Sequence, residues 1–234
     1  MLRGCFFAFL VLLTSSTKAL ASLPLLDRLA KNGFTCQDVS HGYFCQIPNL
    51  NFNGVYYPLP IAVLIPESLE IPENPILFLH GYRGMCEPAS ATAQDMAQRF
   101  QLLEQLDQSS ASQSVIVFPV SLGQRETYEK YLIPQFRLFL DWALDLIRPM
   151  HSLWTLAGHS GAGGTIAMAL GKSGVGPIRS VLLMDGTYSM QEKYLPFWKT
   201  AAVFSPNMMI RGVYSDSDAK NGAELLANTL GKRK

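Results

Sequence analysis

Short apolar runs spaced along the chain constrain its fold more than any other feature. Ile76-Leu77-Phe78-Leu79, Val115-Ile116-Val117-Phe118, Leu153-Trp154-Thr155-Leu156-Ala157 and Ser180-Val181-Leu182-Leu183-Met184 are each one strand long, with few polar positions to give to water. Runs of this kind are typical of strands covered on both faces. Helical patterns lie between them. Ala89 to Leu106 carries Ala93, Met96, Ala97, Phe100 and Leu103 on one side, and Pro134 to Arg148 is stopped by Pro149. Met208-Met209-Ile210 begins a further strand, and Ala219 to Leu230 forms a last helix. Strand alternating with helix predicts an α/β fold, a mostly parallel, doubly wound sheet with helices on both faces. Earlier in the chain, Val55 to Ile65 has β character but contains Pro58 and Pro60, which predicts an edge or bent strand.

One of these strands leads into chemistry. After Leu153 to Ala157 the chain reads Gly158-His159-Ser160-Gly161-Ala162-Gly163-Gly164, and then takes up helical spacing with Ala162, Ile166, Ala169 and Leu170. A serine on a sharp turn from strand to helix needs tiny neighbours, because larger side chains collide with the two elements it joins. Gly158, Gly161 and Ala162 meet that need, with Ala162 standing where the strict Gly-x-Ser-x-Gly pattern has glycine. The helix N-terminus adds free N–H groups and partial positive charge beside the hydroxyl.

In a sheet of this type the loops at the carboxyl ends of the strands share one edge, and ligands bind there. Three loops are expected on that edge: His80-Gly81-Tyr82-Arg83-Gly84, the turn at Ser160, and Asp185-Gly186. Acyl transfer requires a nucleophile, donors for the oxyanion, a base and an acid that orients the base. The glycines after His80 leave a backbone N–H free to face a developing charge.

From Val55 to Leu230 the chain resembles the α/β-hydrolase family, on His80-Gly81-Tyr82-Arg83-Gly84, on Gly158-His159-Ser160-Gly161-Ala162, and on the strand order around them. The resemblance implies Ser160 as nucleophile and the N–H groups of Tyr82 and Gly161 as oxyanion donors. The family's acid follows a later strand. Asp185, at the tip of its strand, is the favoured candidate, and Asp216 and Asp218, after the next strand, are the alternatives. Asp218 also suits the cap of the helix from Ala219.

The family order of serine, acid and histidine breaks at its last member. The histidines are His41, His80, His151 and His159, and none follows Ser160. His159 is next to the serine, so its side chain is expected to diverge from it. His80 is expected to buttress its own loop, His151 to lie at the opposite edge, and His41 to belong to a hairpin. Three explanations stand: a chain cut short before its last strand, which the ending Gly231-Lys232-Arg233-Lys234 favours, a degenerate hydrolase that binds without turnover, or an unusual base.

The N-terminus and the cysteines bear on location. Residues 1–21 read as a secretory signal, with Arg3, an apolar centre from Cys5 to Leu13, and Ala19-Leu20-Ala21 before the cut. The apolar centre is too short to span a membrane, so no stable anchor is expected after cleavage. Residues 22–234 then form a single domain, secreted or periplasmic. Cys36 and Cys45 flank a hairpin turn at Ser40-His41-Gly42, and in an oxidising compartment they are expected to form a disulfide, leaving Cys86 as a thiol. No second ligand pair accompanies them, so neither a metal nor any other cofactor is expected. A net charge of +1 with no basic cluster before Lys232 gives nucleic acid no electrostatic footing. The expected function is hydrolysis of an ester or amide bond in a small molecule, with a non-catalytic binding protein that keeps the pocket as the alternative.

Overall fold

The computed structural model of the chain describes residues 23–81, 92–109, 111–121, 127–173, 176–187, 193–215 and 217–230. The expected signal segment, Tyr82, Cys86 and Asp216 lie outside them.

Helix α1 (Leu23–Lys31) precedes a hairpin of β1 (Thr35–Val39) and β2 (Gly42–Ile47). The hairpin turns through His41 and Gly42, whose φ values of 68° and 148° suit a tight reversal. Cys36 and Cys45 are directly opposed in the ladder and joined by a disulfide. A small two-stranded sheet of β3 (Leu50–Phe52) and β4 (Val55–Tyr57) follows. The chain then enters β5 (Ile61–Pro66), which differs from the edge strand expected over Val55 to Ile65. Its residues are all buried, and it is paired on both sides. Pro58 and Pro60 fall between β4 and β5, where they bend the chain and remove no hydrogen bond from either ladder.

After β6 (Asn74–Leu79), the single helix expected over Ala89 to Leu106 is two, α2 (Ala93–Arg99) and α3 (Leu102–Asp107). Gln101 between them is left-handed at φ 49°, and the break lets Leu102, Leu103 and Leu106 join Ala93 and Ala97 in one buried cluster. Next come β7 (Ser114–Pro119), a wide helical turn at Tyr128–Leu132, a 3₁₀ turn at Ile133–Gln135, and α4 (Phe136–Ile147). Arg148, at φ 50°, closes α4 ahead of Pro149. The remainder alternates: β8 (Trp154–His159), α5 (Ala162–Ser173), β9 (Ile178–Met184), α6 (Leu195–Phe204), β10 (Met209–Val213) and α7 (Ser217–Leu230).

The large sheet has the order β1-β2-β5-β7-β6-β8-β9-β10. From β7 to β10 neighbouring strands are parallel, and β1, β2 and β5 add an antiparallel wing. Alternation along the central strands sends Leu77, Val117, Leu156 and Leu183 into the larger core with α4 and α5, while Phe78, Phe118 and Ala157 pack with α2 and α3. Before β10, α6 lies on α5. Trp198 is fully buried, and a Cβ at Gly171 would stand 2.5 Å from the Phe197 ring. Among the described residues, β1 and β10 are the outer strands, and no helix is long and apolar enough to cross a membrane.

Candidate active site

Strand register brings four loops together. Leu79 is paired with Gly158, so His80 and Gly81 leave the sheet beside His159 and Ser160. His159 is paired with Met184, which sets Ser160 next to Asp185. Met184 is also paired with Val213, so Tyr214 and Ser215 emerge on the far side of Asp185. All four tips lie at the carboxyl edge of parallel strands, the ligand-binding edge of such sheets.

Ser160 joins β8 to α5 in a left-handed conformation, φ 56°, that a residue with a side chain rarely adopts. Its N–H donates to Met184 O at 2.9 Å, and its carbonyl accepts from Gly163 N–H at 3.2 Å. The turn is compressed from two sides. A Cβ at Gly158 would stand 2.6 Å from Ile166 Cδ1 and 3.2 Å from Ala162 Cβ, so Ala162 is accommodated because position 158 has no side chain. A Cβ at Gly81 would stand 2.5 Å from both Gly161 N and His159 O, and 2.7 Å from Ser160 Cβ. The backbone after β6 is therefore pressed directly against the serine turn. Ser160 is half-buried, and Gly161 precedes the first turn of α5, where N–H groups have no acceptor within the helix.

His80 is 1% exposed and both ring nitrogens are engaged. The Ser121 N–H donates to Nε2 at 3.0 Å, which leaves the hydrogen on Nδ1 to donate to Gly81 O, also at 3.0 Å. Phe118 and Tyr128 pack edge-on around the ring. Burial lowers its pKa to about 4, so the imidazole is neutral near pH 7. It ties the Gly81 carbonyl to the chain after β7, a buttressing position.

His159 points to the α2/α3 face, its ring 5.3 Å from that of Phe100. Burial lowers its pKa, against an opposing pull from Asp185 and with a further lowering from Arg99. His41 lies 3.4 Å from Asp107 at the hairpin, and His151 N–H donates to Glu73 O ahead of β6, at the other edge.

Asp185 is also left-handed, at φ 48°, and its N–H donates to Val213 O at 2.7 Å. Its carboxylate accepts from Ser215 twice: the backbone N–H reaches Oδ1 at 2.5 Å and the hydroxyl reaches Oδ2 at 2.7 Å. These hydrogen bonds, the hydroxyl's first, hold the carboxyl below the usual aspartate range, with His159 adding to the effect. The role of Ser215 is not apparent from the sequence. The only signal is its place two residues past the strand paired with β9. Asp218 falls in the first turn of α7, which begins at Ser217 and not at Ala219. Among the described residues, no group of three or more His, Cys, Asp or Glu is arranged to hold a metal ion.

Solved structures of the same architecture exist. A crystal structure of a mutant of the esterase rPPE matches with a TM-score of 0.54 and 15% identity, over 95% of this chain and 81% of that one. The monoclinic form of the Pyrobaculum calidifontis esterase matches with a TM-score of 0.52 and 13% identity, over 91% and 77%. The chain has the α/β-hydrolase fold. At these identities the likeness is one of fold. No protein-family model and no curated protein matches the chain. In this α/β-hydrolase fold the turn at Ser160, the backbone at Gly81 and the Asp185 carboxylate share one sheet edge.

Proposed function

We propose that this chain is an exported serine hydrolase that cleaves an ester, or by the same chemistry an amide, in a small molecule. Ser160 is the nucleophile, the N–H groups of Gly161 and Tyr82 receive the oxyanion, and Asp185 is the acid. The reading is carried by the left-handed turn at Ser160 with the Gly81 backbone pressed against it. Strain of that kind persists only where surrounding structure enforces it, and it clusters at functional sites. Ser160 Oγ adds to the carbonyl carbon as its proton passes to water, and the carbonyl oxygen becomes an oxyanion facing backbone donors. Collapse then breaks the bond to the leaving oxygen or nitrogen, which takes up a proton and departs as alcohol or amine, and a water molecule splits the acyl-enzyme into the acid and free Ser160. Each oxyanion donor in such a site lowers the barrier by roughly 3–4 kcal/mol. Both named neighbours are esterases, which supports an ester substrate. The Cys36–Cys45 disulfide suits an oxidising compartment and supports export of the domain behind the signal-like residues 1–21.

A second reading, a binding protein that keeps the pocket without turnover, is favoured by the histidines. His80 has both nitrogens committed to backbone, and His159 faces α2 and α3. Without a neighbouring base a serine hydroxyl is a weak nucleophile. A fluorophosphonate probe separates the two. The hydrolase reading expects the folded protein to be labelled at one site and Ser160→Ala to abolish the labelling. A folded protein that stays unlabelled, yet is raised in melting temperature by a carboxylic ester, is the binding protein.

A further inference from the structure

Asp185 is held by a partner that nothing in the serine–acid pattern requires. Ser215 meets the carboxylate with two donors from one residue, its N–H on Oδ1 and its hydroxyl on Oδ2. The two residues come from the tips of adjacent strands, and Asp185 N–H closes back onto Val213 O. Three hydrogen bonds thus fix the backbone and both oxygens of a residue that already occupies a strained conformation at φ 48°. A strained backbone with a doubly clamped carboxylate is a poor arrangement for a surface aspartate and a good one for a carboxylate that must keep one orientation. Each oxygen retains a second lone pair, so the clamp leaves Asp185 able to accept another donor at the sheet edge.

We propose that Ser215 is a positioning residue that fixes the orientation of the Asp185 carboxylate at the sheet edge it shares with Ser160. This rests on the reading of Asp185 as the acid. Asp218, one of the alternatives, instead sits in the first turn of α7.

Two measurements on the full-length protein test it: a ¹³C NMR titration of the Asp185 carboxyl, and the pH dependence of fluorophosphonate labelling. In Ser215→Ala the backbone donor remains and the hydroxyl is lost. The Asp185 titration is expected to move to higher pH, and labelling above that range to slow by about tenfold, the effect of losing one hydrogen bond to a charged group. Ser215→Thr keeps a hydroxyl and is expected to restore both. A packing role would move neither the Asp185 titration nor the acid limb of labelling. An unchanged titration in Ser215→Ala, or a Ser215→Thr variant as altered as the alanine, overturns the clamp. A wild type that never labels, while Ser215→Ala still shifts the titration, overturns the hydrolase reading and leaves the clamp in place.

Discussion

His80 is buried beneath the loop that presses on the serine turn, and its Nε2 accepts a hydrogen bond that only the neutral ring can accept. Burial holds its folded pKa at about 4, below the ordinary histidine value of 6.5. Above pH 6.5 both folded and unfolded chains carry the neutral ring, so the group has no effect on stability. Between pH 6.5 and about 4 the unfolded chain takes up a proton that the folded chain refuses, and stability falls by up to about 3 kcal/mol. Urea unfolding at pH 7 and pH 4.5 is expected to show this loss in the wild type and a flatter dependence in His80→Gln. A wild type as stable at pH 4.5 as at pH 7 would contradict it. At this scale the sequence was informative about residues whose chemistry is local. Gly158 and Gly161 announced a crowded turn, and His80 followed by Gly81 announced a loop to be braced. The partners of those residues were not legible, because Ser121 and Ser215 reach them only through strand pairing, and a serine beyond a strand carries no mark of what it will touch.

At the scale of elements, the strands buried on both faces read clearly because a continuous apolar run has few alternatives. Two features were hidden. No glycine or proline marks the break between α2 and α3, which Gln101 makes at a left-handed position. The interior position of β5 was masked by Pro58 and Pro60, which lie outside its ladder. The hairpin β1–β2 is the least buried pair of strands in the antiparallel wing, with exposed positions through β1. β2 is held by its ladder with β5, and β1 is tied to β2 by the disulfide and to α2 by Gln37 Nε2 donating to Gln94 Oε1. The bridge spans a sequence separation of 9, and closing a loop of this size in the unfolded chain is worth about 2–3 kcal/mol. Replacing both Cys36 and Cys45 by serine is expected to lower the unfolding free energy by that amount, read as a lower urea midpoint with the slope little changed. An unaltered midpoint would mean that the hairpin is held by packing alone.

Across the whole molecule the two margins of the sheet differ. β1 presents Gln37 and Asp38 and is stapled, whereas β10 shows Met209 at 41% and Val213 at 60% exposure, with Tyr214 at 48% just beyond. Val203 and Phe204, at the end of α6, are also exposed. Apolar outer strands invite pairing between molecules. Self-association that rises with concentration is expected by light scattering, and Val213→Lys is expected to suppress it without lowering the melting temperature. A wild type that stays monodisperse at high concentration would refute this. The same margin bears on the chemistry. Outer strands are the first to come away in brief local openings, and Ser215 rides on β10 while Ser160 and Gly81 stand on strands paired on both sides. Each time β10 frays, Asp185 is set loose beside a serine turn that stays put, so the grip on its carboxylate lasts only as long as that strand remains zipped to its neighbour.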